Sequence, residues 1–368
     1  MNFDFSDEQK MLREQVSRAL TEAAPLTEAR TALTGGFEYS ERAWNAIAEA
    51  GILGAGIPEE YGGLGLGRLE WCVTSEEIGR TLAPVPYLST IVLAEALLAF
   101  GSAAQKNMWL PRIAGGQIIG TWADAEGPRE LRADNLQVEF KSGRLTGKKL
   151  PVLDGNIAGL AVVLARTDDG PALVLVDLEK GVSRRALKTL DKSRPQAELH
   201  FDGAPAELLG KAGEGWTAYT QLMNRASVLL AFEQVGAADR ALEMARDYAL
   251  ERHAFGRPIG SYQGIKHKLA NIYMANEIAR VHALWGAWAT STDASDLPLA
   301  AASARVSANR AFTLAAQENI QTHGGIGFTW ESDCQLFYRR ARLYAGLLGP
   351  ELDWKERIVT SIELSNAA

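Results

Sequence analysis

The sequence predicts an α+β multidomain chain, with an N-terminal helical domain over residues 1–117, a middle β domain over 118–206 and a C-terminal four-helix bundle over 207–368. Three observations carry this reading. Apolar residues recur every three or four positions from residue 7 to about 117, and strand-like alternation is scarce there. Between about 118 and 201 the texture changes to short β-prone runs at 137–140, 161–165 and 172–176, separated by Gly, Asp and Pro. From Glu214 onward long helical periodicity returns over 216–252, 262–290 and 297–321, and long helices in series suggest a bundle.

Within the first domain, Ile57-Pro58-Glu59-Glu60-Tyr61-Gly62-Gly63-Leu64-Gly65 reads as a turn between helices. Gly63, Gly65 and Gly67 lie near the spacing of a phosphate loop, but no strand precedes them, so a turn is the expectation. Ser6 and Gln9 have the spacing of a capping box, which marks a helix start and not a secretory signal, and a cytoplasmic location is expected.

The 368 residues suit two or three packed units. Charged residues at 23% and hydrophobic ones at 47% fit a globular interior, and no apolar run approaches the roughly 20 residues of a membrane span. The net charge of -7 argues against a protein built to bind nucleic-acid phosphate. Cys72 and Cys334 lack paired or metal-ligand spacing, the histidines form no HExxH-type pair, and Ser227 lies in a helical run without a nucleophile elbow. Neither a metal centre nor hydrolase chemistry is expected.

Three further segments carry chemistry. In Glu251-Arg252-His253-Ala254-Phe255-Gly256-Arg257-Pro258-Ile259, Arg252 offers a permanent charge and a planar fork of donors suited to a pyrophosphate, and Phe255 adds an apolar face. In Gln321-Thr322-His323-Gly324-Gly325-Ile326-Gly327 the paired glycines let a ligand approach the backbone, although they equally suit a helix C-cap. Tyr338-Arg339-Arg340-Ala341-Arg342 is a basic cluster on a helix, read in the first instance as a solvated or ion-paired face.

Together with the Ile57–Gly65 segment and Tyr262-Gln263, these motifs stand in the order found in the acyl-CoA dehydrogenase family, and the chain resembles that family over nearly its whole length. The resemblance implies FAD, held by Arg252, Phe255, Gln263, Gln321, Gly324 and Gly325 across a subunit boundary, and hence a tetramer. It implies an acyl-CoA thioester as substrate, a 2,3 double bond as product and an electron-transfer flavoprotein as acceptor.

Such a reaction needs a carboxylate base. The family's usual glutamate position falls on Leu348, and the position some relatives use instead falls on Ala226. The nearest substitute is Glu233, which returns to nearly the same helix face two turns, about 10 Å, further on. Its bland reading is an ion pair with Arg240 on that face. The family's Thr-Glu-Pro loop and Trp-Ile-Thr strand, which lie against the flavin ring, correspond to Trp122-Ala123-Asp124-Ala125-Glu126-Gly127-Pro128 and Pro151-Val152-Leu153. Leu153 has no hydroxyl to offer flavin N5.

The expected protein is therefore an FAD-dependent acyl-CoA dehydrogenase subunit, working in a homo- or heterotetramer, with a paralogous partner suggested by the missing ring-side residues. The alternatives are a catalytically silent subunit that completes a partner's flavin site, and a flavin-dependent oxidase or monooxygenase on the same fold.

Overall fold

The computed structural model describes residues 5–367. Six helices come first: α1 Asp7–Ala23, α2 Leu26–Leu33, α3 Glu41–Glu49, α4 Arg68–Thr81, α5 Tyr87–Phe100 and α6 Ala103–Ala114. Seven strands follow: β1 Gly120–Ala123, β2 Glu139–Lys141, β3 Arg144–Leu153, β4 Leu160–Thr167, β5 Gly170–Asp177, β6 Val182–Ala186 and β7 Gln196–Leu209. Then come α7 Gly215–Glu251, a small hairpin of β8 His253–Ala254 and β9 Arg257–Pro258, and α8 Gln263–Ser291, α9 Leu297–His323, α10 Cys334–Gly346 and α11 Glu351–Ala367. Among the described residues no helix is long and apolar enough to cross a membrane.

The order of helices, strands and helices is the expected one. The Ser6–Gln9 capping box forms, with the Ser6 hydroxyl accepting from Gln9 N–H at 3.2 Å and Gln9 Oε1 accepting from Ser6 N–H at 3.0 Å. Glu59–Tyr61 is a single 3-10 turn, which makes the glycine-rich stretch after it a turn. The strand region extends further than its apolar runs suggest: β7 continues to Leu209, past residue 206.

By contacts the chain falls into two units. One comprises Thr31–Gly67 and Pro84–Ala226, and contains the sheet; the other comprises the chain up to Arg30, Arg68–Ala83 and everything from Ser227 on. The division by secondary structure is thus not the division by contact, because α1 and α4 group with the C-terminal helices.

In the first unit, β4 pairs in parallel with β1 and β2 and antiparallel with β5, while β3, β7 and β5 complete the antiparallel path and β6 lies along β7. The β4–β5 pairing closes the sheet on itself, which removes the free edges between these strands. Val138, Leu145, Val163, Val174, Leu199 and Phe201 fill its interior. On β7, inward Ala197, Leu199 and Phe201 alternate with less buried Glu198, His200 and Asp202.

Inside the barrel region a buried ion pair fixes one loop. Lys149 of β3 has no exposed surface, and its ammonium donates to Glu126 Oε1 and to the Asp124 carbonyl, both at 2.8 Å. Burial pushes the lysine down from its ordinary pKa. Burial would raise Glu126, but Lys149 and the backbone N–H groups of Val138 and Gln137 hold it below the usual carboxylate range.

In the second unit α4 and α7 cross with their backbones in contact. A Cβ on Gly79 would stand 1.9 Å from the carbonyl oxygen of Glu233, and one on Gly236 would stand 1.9 Å from that of Glu76. Neither obstacle is a side chain that could swing away. Gly79→Ala is therefore expected to cost at least about 3 kcal/mol, the upper range for overpacking, whereas Gly346→Ala meets nothing within 4 Å and should shift stability by less than about 1 kcal/mol. Chemical denaturation of the two variants side by side checks this, and equal midpoints would refute the close crossing.

Candidate functional site

The second unit carries all the residues expected to hold a cofactor. α7 ends at Glu251, with the Arg252 N–H donating to the Tyr248 carbonyl at 2.8 Å. The chain then turns through β8 and β9, pairing His253 with Pro258 and Ala254 with Arg257. Phe255 and Gly256 form the tip, at φ +53° and +80°. Two successive positive φ values are the signature of the tight hairpin turn that Asn-Gly usually makes. A phenylalanine there is strained by about 1–2 kcal/mol, and its ring is 96% exposed, so this chain's own packing does not repay the strain.

The hairpin is held from behind. The Tyr262 hydroxyl donates to the Ala254 carbonyl at 3.0 Å, and the Arg257 guanidinium lies over the Tyr262 ring at 4.0 Å. Gln263 begins α8 in the exposed first turn, where Tyr262 supplies no side-chain cap. Arg252 is exposed and makes no ion pair among the described residues. An unneutralised guanidinium and an uncapped helix start are each suited to an anion.

The α9 end supplies the other candidates. Gln321 is exposed, and Gly324 closes the helix at φ +62°, its N–H donating to the Gln321 carbonyl. Neither Gly324 nor Gly325 has any atom within 4 Å of where a Cβ would stand, so their backbone is open to a ligand. The C-cap reading is borne out, and the open space leaves room for the ligand approach that the resemblance implies. The two helix ends meet where the Tyr248 and His323 rings stack, with centroids 4.2 Å apart. An open glycine backbone, a free guanidinium, an uncapped helix start and an exposed aromatic ring fit a nucleotide cofactor with a pyrophosphate.

The base positions differ in character. Ala226 is fully buried. Leu348 has φ +63°, its carbonyl accepts from Trp354 Nε1 at 2.9 Å, and its side chain packs against the Ala302, Val306 and Trp354 cluster. Beneath that loop, Arg305 of α9 donates from Nη2 to the carbonyls of Tyr344 at 2.7 Å, Ala345 at 3.3 Å and Leu347 at 2.7 Å. Burial pulls Arg305 down to about 10, which leaves it cationic at neutral pH and able to cap the terminal carbonyls at the end of α10.

Glu233 has no exposed surface. The Tyr344 hydroxyl donates to its carboxylate, and Arg340 Nη1 donates to that hydroxyl at 3.2 Å while Nη2 reaches the Leu82 carbonyl at 3.3 Å. The expected partner Arg240 instead pairs with Glu243 at 3.2 Å. Glu233 thus ties α7 to α10 from an enclosed position, a placement unlike that of a base reached by substrate. Arg340 corrects the solvated reading of the basic cluster, since it is buried. Arg339 bonds Gln335 at 3.0 Å, and Arg342 is exposed.

In the sheet unit, the loop expected near a flavin ring is occupied by its own contacts. Tyr219 donates to Asp124 Oδ2 at 2.7 Å, and Trp122, Leu164, Leu173, Leu222 and Met223 line a small hollow beside them. Leu153 is buried, and its carbonyl accepts from the Thr121 hydroxyl at 2.6 Å. Lys149, Tyr219, Arg305 and Tyr344 escaped sequence reasoning because each acts through a distant partner, and only the lysine within a strand-like run hinted at burial with a counter-charge. Cys72 and Cys334 are buried free thiols, and no cluster of His, Cys, Asp and Glu suited to a metal occurs among the described residues.

Known proteins resemble this chain over nearly its whole length. Residues 6–117 match the family model described as acyl-CoA dehydrogenase, N-terminal domain, and residues 213–352 match that for the C-terminal domain. The acyl-CoA dehydrogenase IpdE2 of Mycolicibacterium smegmatis is 32% identical over 358 residues, which cover 97% of this chain and 99% of that protein. A variant of the Tcur3481-Tcur3483 steroid ACAD has a TM-score of 0.90 at 31% identity, covering 98% of this chain and 99% of that one. The ChsE4-ChsE5 complex from Mycobacterium tuberculosis gives a TM-score of 0.90 at 27% identity, covering 99% of each chain.

The strain at Phe255 is separable from its proposed ligand contact. Phe255→Asn, which tolerates positive φ, is expected to stabilise the chain by roughly 1 kcal/mol in thermal melts while weakening flavin retention. A destabilised variant would contradict the strain.

Proposed function

Because the chain belongs to the acyl-CoA dehydrogenase family, whose members are flavoproteins that oxidise acyl-CoA thioesters, we propose that it is an FAD-binding subunit that acts with a paralogous chain in a heterotetramer. One contrast carries this reading. Arg252, Phe255, Gln263, Gln321, Gly324 and Gly325 are all exposed, whereas Ala226 and Leu348 cannot take a proton and Glu233 is enclosed. A chain that presents cofactor contacts outward and no accessible base is suited to completing a site with another chain. The two-component names of the Tcur3481-Tcur3483 and ChsE4-ChsE5 proteins support the pairing.

FAD, when bound, supplies the two-electron acceptor for the hydride leaving the carbon β to the thioester. Arg252 neutralises the pyrophosphate through its fork of donors. Phe255 covers an apolar part of the cofactor and excludes water from it. Gln263, at the start of α8, and Gln321 contribute amide hydrogen bonds, and the Gly324–Gly325 backbone admits the adenine end. The proton next to the thioester carbonyl goes to a carboxylate of the partner subunit, since Leu348 and Ala226 have no group to accept it. Leu153 leaves the hydroxyl contact to flavin N5 to that subunit as well. An electron-transfer flavoprotein is the proposed acceptor, and a bulky acyl-CoA, such as a steroid-derived thioester, is the proposed substrate class.

The test is to purify the chain alone and with the product of its neighbouring gene, then measure flavin per chain and acyl-CoA oxidation. We expect flavin and activity in the pair only. A homotetramer with one FAD per chain that oxidises an acyl-CoA unaided would refute the paired reading. Within the active pair, Glu233→Gln should leave turnover within about threefold and lower the melting temperature. A loss of about a thousandfold with fold and flavin intact would return the base to Glu233.

A further inference from the structure

The Tyr248–His323 stack belongs to none of the assigned contacts, yet it joins the two ends of the proposed flavin surface. Tyr248 stands one turn before Arg252 on α7, and its carbonyl is the acceptor for the Arg252 N–H at 2.8 Å. His323 is the last residue of α9, between Gln321 and Gly324. The rings lie 4.2 Å apart at an interplanar angle of 25°. His323 Nδ1 is 2.9 Å from the Asn319 carbonyl oxygen. A carbonyl oxygen only accepts, so Nδ1 donates this bond and the imidazole is held in orientation. Asn319 is itself fully buried, so the ring is referred to a rigid point of α9.

We infer that Tyr248 and His323 are a positioning pair that sets the spacing between the Arg252 guanidinium and the Gly324–Gly325 backbone, so that one diphosphate-linked dinucleotide engages both. The inference rests on the flavin-site reading above. A ligand with two anchoring ends binds tightly only where the anchors are held at the right separation beforehand; otherwise the cost of ordering them is charged to affinity. Arg252 and Gly324 are both exposed and lie on different helix ends, and the stack is the ring contact between those ends. His323 therefore acts through its neighbours, and it need not touch the ligand.

Spacing has a signature that mere folding lacks. FAD spans both anchors, whereas FMN has no adenosine end and engages only one. Titration of the deflavinated heteromeric complex with FAD and with FMN, followed by flavin fluorescence, should show His323→Ala weakening FAD about tenfold while FMN affinity stays within twofold. His323→Phe keeps a ring on Tyr248 and should restore FAD binding. Should His323→Ala fail to assemble, Tyr248→Leu removes the stack from the other side and gives the same readout. Unchanged FAD affinity, a parallel loss of FMN, or no rescue by phenylalanine overturns the inference. Arg252→Ala distinguishes the two levels: if it too leaves FAD affinity unchanged the flavin-site reading fails, and if it alone weakens FAD only the positioning role fails.

Discussion

The crossing of α4 and α7 is the constraint from which the helical unit is arranged. With Gly79 against the Glu233 carbonyl and Gly236 against that of Glu76, two backbones touch where side chains would ordinarily hold helices 8–10 Å apart. Such closeness leaves no room for apolar filler, and the neighbouring positions carry charge instead. Glu76, fully buried, accepts from Arg13 of α1 at 2.8 Å and from Arg280 of α8 at 2.9 Å. Arg280 also pairs with Asp239 of α7. Burial works against the Arg280 charge, but Glu76 and Asp239 outweigh it and raise the guanidinium above its ordinary range. Buried charges are tolerable only when paired in this way, and removing any one member would strand the others. The crossing thus fixes α1, α4, α7 and α8 together, and with them the direction in which α7 delivers Arg252.

The same geometry decides the fate of Glu233. Its backbone carbonyl is pressed by Gly79, and its carboxylate is held by Tyr344, itself bonded to Arg340. Helical arithmetic could not point to the partner of Glu233, because that partner sits 111 residues away in sequence. Periodicity reports which side of a helix is buried. It does not report which other helix arrives there.

That distinction explains what was legible. Long helices announce themselves by repetition, and α7, α8 and α9 stand within a few residues of the periodic stretches at 216–252, 262–290 and 297–321. The apolar cores of β4 and β5 were readable because both faces of those strands are covered. β3 and β7 were not, because only one face of each is buried and Lys148, Lys149, Glu198 and Asp202 interrupt the apolar pattern. In the candidate site, the local motifs at 251–259 and 321–327 could be read since their chemistry is set by neighbouring residues. Lys149 with Glu126, Arg305 with the α10 carbonyls and Tyr248 with His323 could not, since each depends on tertiary approach.

Position 348 shows what a carboxylate in this loop would meet. A glutamate there would inherit a left-handed backbone, a carbonyl tied to Trp354 and a side-chain direction toward the apolar contact of α9 with α11. Arg305 holds the carbonyls on the approach to that turn, Gln234 of α7 accepts from Arg305 at 3.2 Å, and Asn309 links to Glu351 of α11 at 2.9 Å. The loop is therefore braced from α7, α9 and α11 at once. Restoring a carboxylate would place charge against Ala302 and Val306 unless the brace yielded, at a desolvation cost that a neutral leucine avoids. Leu348 instead makes the loop a structural joint between α9 and α11. A neutral side chain at 348 keeps this joint intact, which is compatible with the proposed division of the chemistry between two chains.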